Sequence, residues 1–202
     1  MSKYRLENSP IYIDGTDIPK NKLGISESSL IHEIENQLLE QSYSYFISSL
    51  SEQTLLDETY FINLHKITFE TLYDFAGVYR NVNMTKGNSQ FCLAQYLQNE
   101  SKRIFSMLQN DYYLMKYEDI PTFCKKLAYY KGELIALHPF YELNGRTLRL
   151  YCDMLCILNG YNPIDYSDAI DNGLYIEASI DCVQYADTTK LETIILKGLT
   201  KR

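Results

Sequence analysis

The chain of 202 residues has no tryptophan and only three histidines, and none of its apolar runs is long enough to cross a membrane. Its N-terminal stretch also lacks the apolar segment of a signal peptide. The five cysteines are scattered, with no CxxC pair and no cysteine and histidine set spaced for zinc. These absences predict a cytoplasmic protein with reduced thiols and no membrane partner.

Positive charge is also scarce, since 19 lysines and arginines stand against 26 aspartates and glutamates, for a net charge of −7. Such a charge repels a polyanion, so nucleic acid is not an expected partner. Hydrophobic residues make up 46% of the chain, which is enough to build a buried core. The length fits one domain with an extension.

Helical spacing of apolar residues dominates the chain. Residues 1–24 hold prolines and glycines among polar residues and are predicted to form an irregular arm. Helices are predicted over 26–50, 55–72, 94–108, 121–138, 146–158, 167–184 and 189–199. Residues 78–92 alternate in part around Lys86-Gly87-Asn88-Ser89, a pattern typical of a short hairpin. The fold class is therefore mainly α, with one small β-hairpin.

Two arginines stand out at the start of the helix after Asn144-Gly145. Arg146 and Arg149 lie in the first turn, where unpaired N–H groups and the helix dipole already create positive potential. An anion would offset this charge, and phosphate suits both the N–H groups and the bidentate guanidinium groups. The alternative is an ordinary helix start whose arginines pair with surface carboxylates.

His138 lies at the other end of the same short loop, before Pro139, which predicts that the preceding helix ends there. An imidazole accepts protons near neutral pH, so His138 is the candidate base. Glu142, within the loop, is a candidate ligand for Mg²⁺. His32 and His65 lie in helical patterns, and we interpret them as packing or surface histidines.

The string HPFYELNGRTLR, from His138 to Arg149, resembles the Fic-domain signature HPFx(D/E)GNGRxxR. The stretch from Leu72 to Phe91 is similar to the helix end and hairpin flap of that family. The stretch from Ile11 to Leu30 resembles the arm and first helix of the subgroup that contains bacterial effectors and antitoxin-regulated toxins. The resemblance implies a Fic-type helical bundle, divided into an arm and first helix at 1–53 and a core at 54–202.

What the resemblance implies for activity is transfer of AMP from ATP to a Ser, Thr or Tyr hydroxyl of a target protein. His138 would deprotonate the hydroxyl and Glu142 would hold Mg²⁺. The nucleotide phosphates would lie on the segment from Leu143 to Arg146, and Arg149 would contact the γ-phosphate. Phe140 is interpreted as a core side chain that fixes the loop. In the flap, Lys86, Gly87 and Phe91 are candidates for docking an extended target segment through the strand edge.

Leu143 departs from the family pattern, which has glycine at this position. A leucine there is strained if φ is positive, and its side chain could enter the nucleotide space. The alternative function is therefore a weak or inactive module that binds a nucleotide or a protein. A third hypothesis is phosphate transfer, as in the related Doc toxins, but Doc-like signatures carry lysine where this chain has Gly145.

Regulation is predicted only from the resemblance. Many Fic proteins are silenced by a helix with the pattern (S/T)xxxE(G/N), and the three loose matches here, ending at Glu33, Glu58 and Glu192, lack the final Gly or Asn. The chain ends soon after its last predicted helix, so the expected inhibitor is a separate, small, antitoxin-like protein. Whether the chain forms a homodimer stays open.

Overall fold

The computed structural model describes residues 4–6, 11–115 and 119–202. Within these ranges the chain is mainly helical, with a short β-hairpin, as predicted, and it carries one further strand that was not predicted. The strands are β1 (Tyr4–Leu6), β2 (Met84–Lys86) and β3 (Ser89–Gln90). The helices are α1 (Ser28–Ser49), α2 (Glu58–Phe69), α3 (Leu97–Met115), α4 (Ile120–Leu137), α5 (Asn144–Leu158), α6 (Ser167–Asp171), α7 (Leu174–Tyr185) and α8 (Thr189–Gly198). None of the described helices is long and apolar enough to span a bilayer.

Side-chain caps fix two of the helix starts. Asp57 accepts the N–H of Tyr60 at 2.8 Å before α2, and Asp119 accepts the N–H of Thr122 at 2.8 Å before α4. Pro121 occupies the first turn of α4, where its missing N–H costs nothing. Both helices that flank the site therefore begin at positions that local chemistry defines.

Helix α4 is central to the bundle and packs against α3, α5, α7 and α8. Its buried face joins a large apolar cluster that includes Phe61, Phe123 and Tyr151. A second cluster, where the arm meets α1 and α2, contains Ile18, Phe69 and Leu143 among its members. All five cysteines lie in the described ranges as unpaired thiols, and four of them are buried in the core as small apolar side chains.

The arm is not irregular throughout, contrary to the prediction from its prolines and glycines. Residues Tyr4–Leu6 form β1, which pairs antiparallel with β2, so that the sheet has the order β1-β2-β3. In this register Tyr4 lies opposite Lys86. The pairing gives partners to the backbone groups along one edge of β2, which the hairpin alone would leave unpaired.

Three helix predictions were wrong in detail. Helix α3 begins at Leu97 and continues to Met115, seven residues beyond the predicted end at 108. The segment 167–184 is not one helix, because Asn172 and Gly173 separate α6 from α7 and Gly173 has a φ of +74°. Glycine adopts this left-handed conformation without strain, which ends α6. Helix α5 begins at Asn144, two residues before the predicted Arg146, so its first turn includes the Asn-Gly pair.

Candidate active site

The loop of residues 138–143 joins α4 to α5 and carries the candidate base. His138 ends α4 in a left-handed conformation, with φ +45°, and its N–H still donates to Leu134 O at 3.2 Å. The helix therefore stops where the following proline predicted. The imidazole is 7% exposed.

The ring of His138 has a defined tautomer. Its Nδ1 lies 3.2 Å from the carbonyl of Ile135, which can only accept, so Nδ1 carries the proton. Its Nε2 is then an acceptor, 2.9 Å from the hydroxyl of Tyr4. The Phe91 ring stacks on the imidazole at 3.9 Å, and burial lowers the pKa of His138 to about 3. His138 is thus held neutral, with Nε2 directed at a hydroxyl.

Arg80 fixes the end of α4 against the base of the flap. Its guanidinium donates to His138 O (2.9 Å), Leu137 O (3.3 Å), Val82 O (2.8 Å) and Cys92 O (2.5 Å), and its own N–H donates to Pro139 O (2.8 Å). The residue is 2% exposed. Burial lowers the pKa of Arg80 to about 10, so the group stays charged at neutral pH. One buried cation therefore joins the loop of residues 138–143 to both ends of the hairpin.

His65, on α2, contacts the same loop through Phe140 and Glu142. Its Nδ1 accepts the N–H of Gly77 at 2.8 Å, so Nε2 carries the proton and donates to Glu142 O at 3.1 Å. The ring stacks on the fully buried Phe140 at 3.9 Å. Burial lowers the pKa of His65 to about 4. His65 is a packing histidine, as interpreted, and Phe140 is a buried core side chain.

Stability is expected to depend on pH because both buried histidines are neutral in the fold. Their folded pKa values, about 4 for His65 and about 3 for His138, lie below the unfolded value, so the unfolded chain binds more protons as pH falls below about 6.5. Each should lower the free energy of unfolding by about 1.4 kcal/mol per pH unit between about pH 6 and 5.

Urea unfolding of the chain without nucleotide, at pH 7 and pH 5, measures this effect. His138→Asn should remove about half of the histidine contribution to the slope. His32→Asn changes an exposed histidine and should leave the slope unchanged. Equal slopes for the wild type and both variants would contradict the prediction.

The first turn of α5 faces the loop with its N–H groups. Asn144 closes the turn, since its side-chain amide donates to Phe140 O and accepts Phe140 N–H, both at 2.8 Å. Its side chain is thus engaged with the loop, which leaves the backbone N–H as its donor toward a phosphate. Apart from its chain neighbours and its own helix backbone, no heavy atom of the described residues lies within 4 Å of the place where a Cβ on Gly145 would be. The helix start is therefore open above Gly145, as a phosphate site requires.

Leu143 precedes this turn and adopts a left-handed conformation, with φ +65°, which glycine adopts without strain. Its side chain is 7% exposed and packs with Ile18, Ile31 and Phe69 in the second apolar cluster. It does not appear among the residues that line the cavity beside His138. The backbone therefore carries the predicted strain, while the side chain points into the core.

Leu143→Gly should consequently destabilise the protein although it restores the family residue. Relief of the left-handed strain contributes about 1–2 kcal/mol, whereas loss of a buried leucine side chain costs about 3–5 kcal/mol. We expect a net loss of about 1–4 kcal/mol in the free energy of unfolding, with nucleotide affinity little changed. Denaturant unfolding and calorimetry measure both quantities. A more stable variant, or one with much tighter ATP binding, would contradict this account.

The two signature arginines have different environments. Arg146 Nη1 lies 2.9 Å from Oε2 of Glu35, a buried carboxylate on α1 that also accepts the Tyr73 hydroxyl at 2.6 Å. The alternative interpretation of the helix start, in which its arginines pair with surface carboxylates, therefore holds for Arg146 in part: it has a carboxylate partner, but that partner is buried. Burial raises the pKa of Asp153, and Arg149 is among the positive charges that oppose this rise. Arg149 lies four residues before Asp153 on α5, so the two side chains lie on the same face of the helix.

Glu142 projects from the loop, and its carboxylate accepts a hydrogen bond from the Tyr12 hydroxyl. Among the described residues, no three His, Cys, Asp or Glu side chains gather as a metal centre. A single carboxylate beside a phosphate site nevertheless fits Mg²⁺, which commonly takes one or two carboxylates and completes its shell with phosphate and water.

A cavity of about 600 Å³ lies between the flap, the loop of residues 138–143 and α7. Its polar lining includes Tyr4, Lys86, His138 and Gly145. The apolar side chains of Ile176, Ile180 and Val183 are also part of the lining, together with Phe91. The cavity thus joins the base, the open helix start and an apolar wall in one space.

Sequence reasoning missed four residues that shape the site, namely Tyr4, Tyr12, Glu35 and Arg80. Each acts through a partner far away in the chain, and nothing in its local spacing marks it. Arg80 lies inside the stretch that resembles the flap, and Tyr12 lies inside the stretch that resembles the family's arm; these resemblances were the only signals for any of the four.

The fold and site define a class of protein, a helical bundle that presents a helix N-terminus and a buried histidine, the candidate base, beneath a β-hairpin. The model of the Fic/DOC family matches residues 55–156, half of the chain. This chain belongs to the Fic/DOC family.

Two curated relatives are protein adenylyltransferases by name. The protein adenylyltransferase VbhT of Bartonella schoenbuchensis is 31% identical over 202 residues, which are 100% of this chain and 41% of that protein. This chain thus spans less than half of VbhT. The probable protein adenylyltransferase y4lH of Sinorhizobium fredii is 28% identical over 165 residues, which cover 80% of this chain and 82% of that protein.

Solved structures share the fold. The BepC protein of Bartonella tribocorum, with bound AMPPNP, has a TM-score of 0.81 at 21% identity and covers 95% of this chain and 97% of its own. The N-terminal Fic domain of a VirB-translocated Bep effector from Bartonella quintana, with bound ADP, has the same TM-score and identity and covers 95% of both chains.

Proposed function

We propose that this protein is an adenylyltransferase that transfers AMP from ATP to a hydroxyl of a protein. The observation that carries the proposal is the tautomer of His138, whose Nε2 accepts a hydrogen bond from a hydroxyl at 2.9 Å inside the cavity that Gly145 also lines. A general base needs this arrangement, an acceptor nitrogen directed at the proton it removes. Family membership and the named relatives support it.

The phosphates of ATP would lie on the first turn of α5, where the N–H groups of Asn144, Gly145 and Arg146 meet the positive end of the helix dipole. Glu142 would hold Mg²⁺, which would neutralise charge on the phosphates. Arg149 would contact the terminal phosphate. For Arg146 to reach a phosphate, its guanidinium would exchange or share its ion pair with Glu35.

The nucleoside would occupy the apolar part of the cavity. Ile176, Ile180 and Val183 offer a surface for a flat base, and the space is large enough for a ligand of this size. Two of the structural neighbours hold AMPPNP and ADP, which supports a nucleotide here. Phosphate transfer is less well supported because Gly145 stands in place of the Doc-like lysine.

The partners are proposals of the same kind. The substrate would be a target protein with a Ser, Thr or Tyr hydroxyl, and the name of VbhT supports a protein substrate. A small antitoxin-like inhibitor, a cytoplasmic location and a homodimer remain predictions from the sequence.

Incubation of the purified chain and a cell lysate with Mg²⁺ and ATP labelled at either the α- or the γ-phosphate tests the proposal. Label retained on protein from the α position alone is the expected result, because the leaving group is pyrophosphate. Label from the γ position would instead indicate phosphate transfer. Retention of neither label, with ATP bound in calorimetry, would favour the inactive binding module.

A further inference from the structure

The hydroxyl that is hydrogen-bonded to the candidate base belongs to the protein itself. Tyr4 lies on β1, and its hydroxyl is the group 2.9 Å from Nε2 of His138. Since the ring nitrogen is an acceptor in the assigned tautomer, the phenol donates its proton along this hydrogen bond. The contact is the one that an acceptor hydroxyl must make with its base before transfer.

Three further contacts hold the Tyr4 ring in place. Lys86 Nζ lies 4.8 Å above the ring centroid, the Phe91 ring packs edge-on at 6.0 Å, and the His138 ring packs at 5.1 Å. Phe91 in turn stacks on His138. The side chains that the sequence singled out for target docking and for the base therefore surround Tyr4.

The backbone of β1 is docked as an extended peptide would be. Tyr4, Arg5 and Leu6 pair antiparallel with Lys86, Thr85 and Met84, so β1 occupies the edge of β2. Strand addition to a sheet edge is a common way to bind a peptide in register. The edge predicted to receive a target segment is thus taken by the chain's own N-terminal strand, and the register places a hydroxyl on the base.

The surroundings also meet the chemical needs of transfer. Tyr4 lines the same cavity as His138, Asn144 and Gly145, so acceptor, base and phosphate site share one space. Burial and the charge of Glu142 raise the pKa of Tyr4, which keeps its phenol protonated at neutral pH. The hydroxyl therefore needs a base to become a nucleophile, and His138 is already bonded to it.

On the basis of the proposed function, we infer that Tyr4 is an acceptor of AMP within its own chain. The Tyr4 oxygen attacks the α-phosphorus of ATP, the new O–P bond forms, and the bond from that phosphorus to the β-phosphate oxygen breaks. Pyrophosphate leaves and His138 Nε2 takes the phenolic proton. Until β1 leaves, it also excludes an external target from the same strand edge.

Mass spectrometry of the full chain tests the inference. The protein is analysed as purified and after incubation with Mg²⁺ and ATP, because transfer inside the expressing cell would leave Tyr4 already modified. We expect a mass increase of one AMP group, mapped to Tyr4 rather than to Tyr12, the other tyrosine whose hydroxyl contacts the signature loop. The rate constant should not change on dilution, since transfer within one chain is first order.

Tyr4→Phe should lower self-labelling by at least about tenfold, because it removes the acceptor oxygen and keeps the ring. Tyr185→Phe is the matched control, since Tyr185 is 71% exposed on α7, and it should label like the wild type. Mapping on the wild type keeps the test valid if Tyr4→Phe folds poorly.

The outcomes separate the two proposals. A wild-type chain that labels lysate proteins but never Tyr4 would overturn this inference and leave the proposed function standing. Label on another residue, or a rate constant that rises with protein concentration, would also overturn it. A chain that transfers AMP to no protein at all would contradict both the proposed function and the inference on Tyr4.

Discussion

His138→Asn should lower the rate of AMP transfer by about 10²–10⁴-fold, the range that a positioned general base contributes. Asparagine is the informative replacement because position 138 has φ +45°, a left-handed conformation that asparagine tolerates better than most residues. Its amide removes the basic nitrogen without demanding a new backbone. Loss of transfer should therefore reflect chemistry rather than a changed loop.

Single-turnover transfer of α-labelled AMP to protein measures the effect, and circular dichroism with thermal unfolding checks the fold. His32→Asn changes an exposed histidine on α1 and should transfer at the wild-type rate. ATP affinity by calorimetry should change little in His138→Asn. A variant that keeps most of the wild-type rate would refute the role of His138 as base.

Arg80→Met should lower the free energy of unfolding by about 3–5 kcal/mol. Methionine preserves much of the apolar volume but leaves four carbonyl oxygens without the guanidinium that now reaches them. Hydrogen bonds to a charged group contribute about 1.5–3 kcal/mol each, and the sum is reduced because the four share one donor group. The end of α4 and both ends of the hairpin would lose their common anchor.

Arg103→Met is the matched control for this variant. Arg103 bonds Glu100 at 2.7 Å and also Glu133, but its side chain is 43% exposed. Exposed ion pairs contribute about 0–1 kcal/mol, so this variant should unfold near the wild-type denaturant concentration. Similar losses for the two variants would mean that the buried contacts of Arg80 add nothing beyond an ordinary ion pair.

The helical bundle and the signature loop could be predicted because their signals are local. Apolar residues at helical spacing marked the helices, and Pro139 marked the end of α4. The hairpin was visible from Lys86-Gly87-Asn88-Ser89, whose turn gives Gly87 a φ of +58°. The prediction of one helix over 167–184 was wrong although its break is also a local signal, because the Asn172-Gly173 pair was not taken as a helix end.

The sequence by itself determined the fold class and the position of the loop, and it singled out His138 as the candidate base, because these depend on residues within one or two turns of one another. The tertiary structure alone decided what the site residues contact. Tyr4 reaches His138 across 134 positions, Glu35 reaches Arg146 through the packing of α1 on α5, and Leu143 turns into a cluster built by the arm and two helices. Such contacts follow from how the elements pack, and no local pattern encodes that packing.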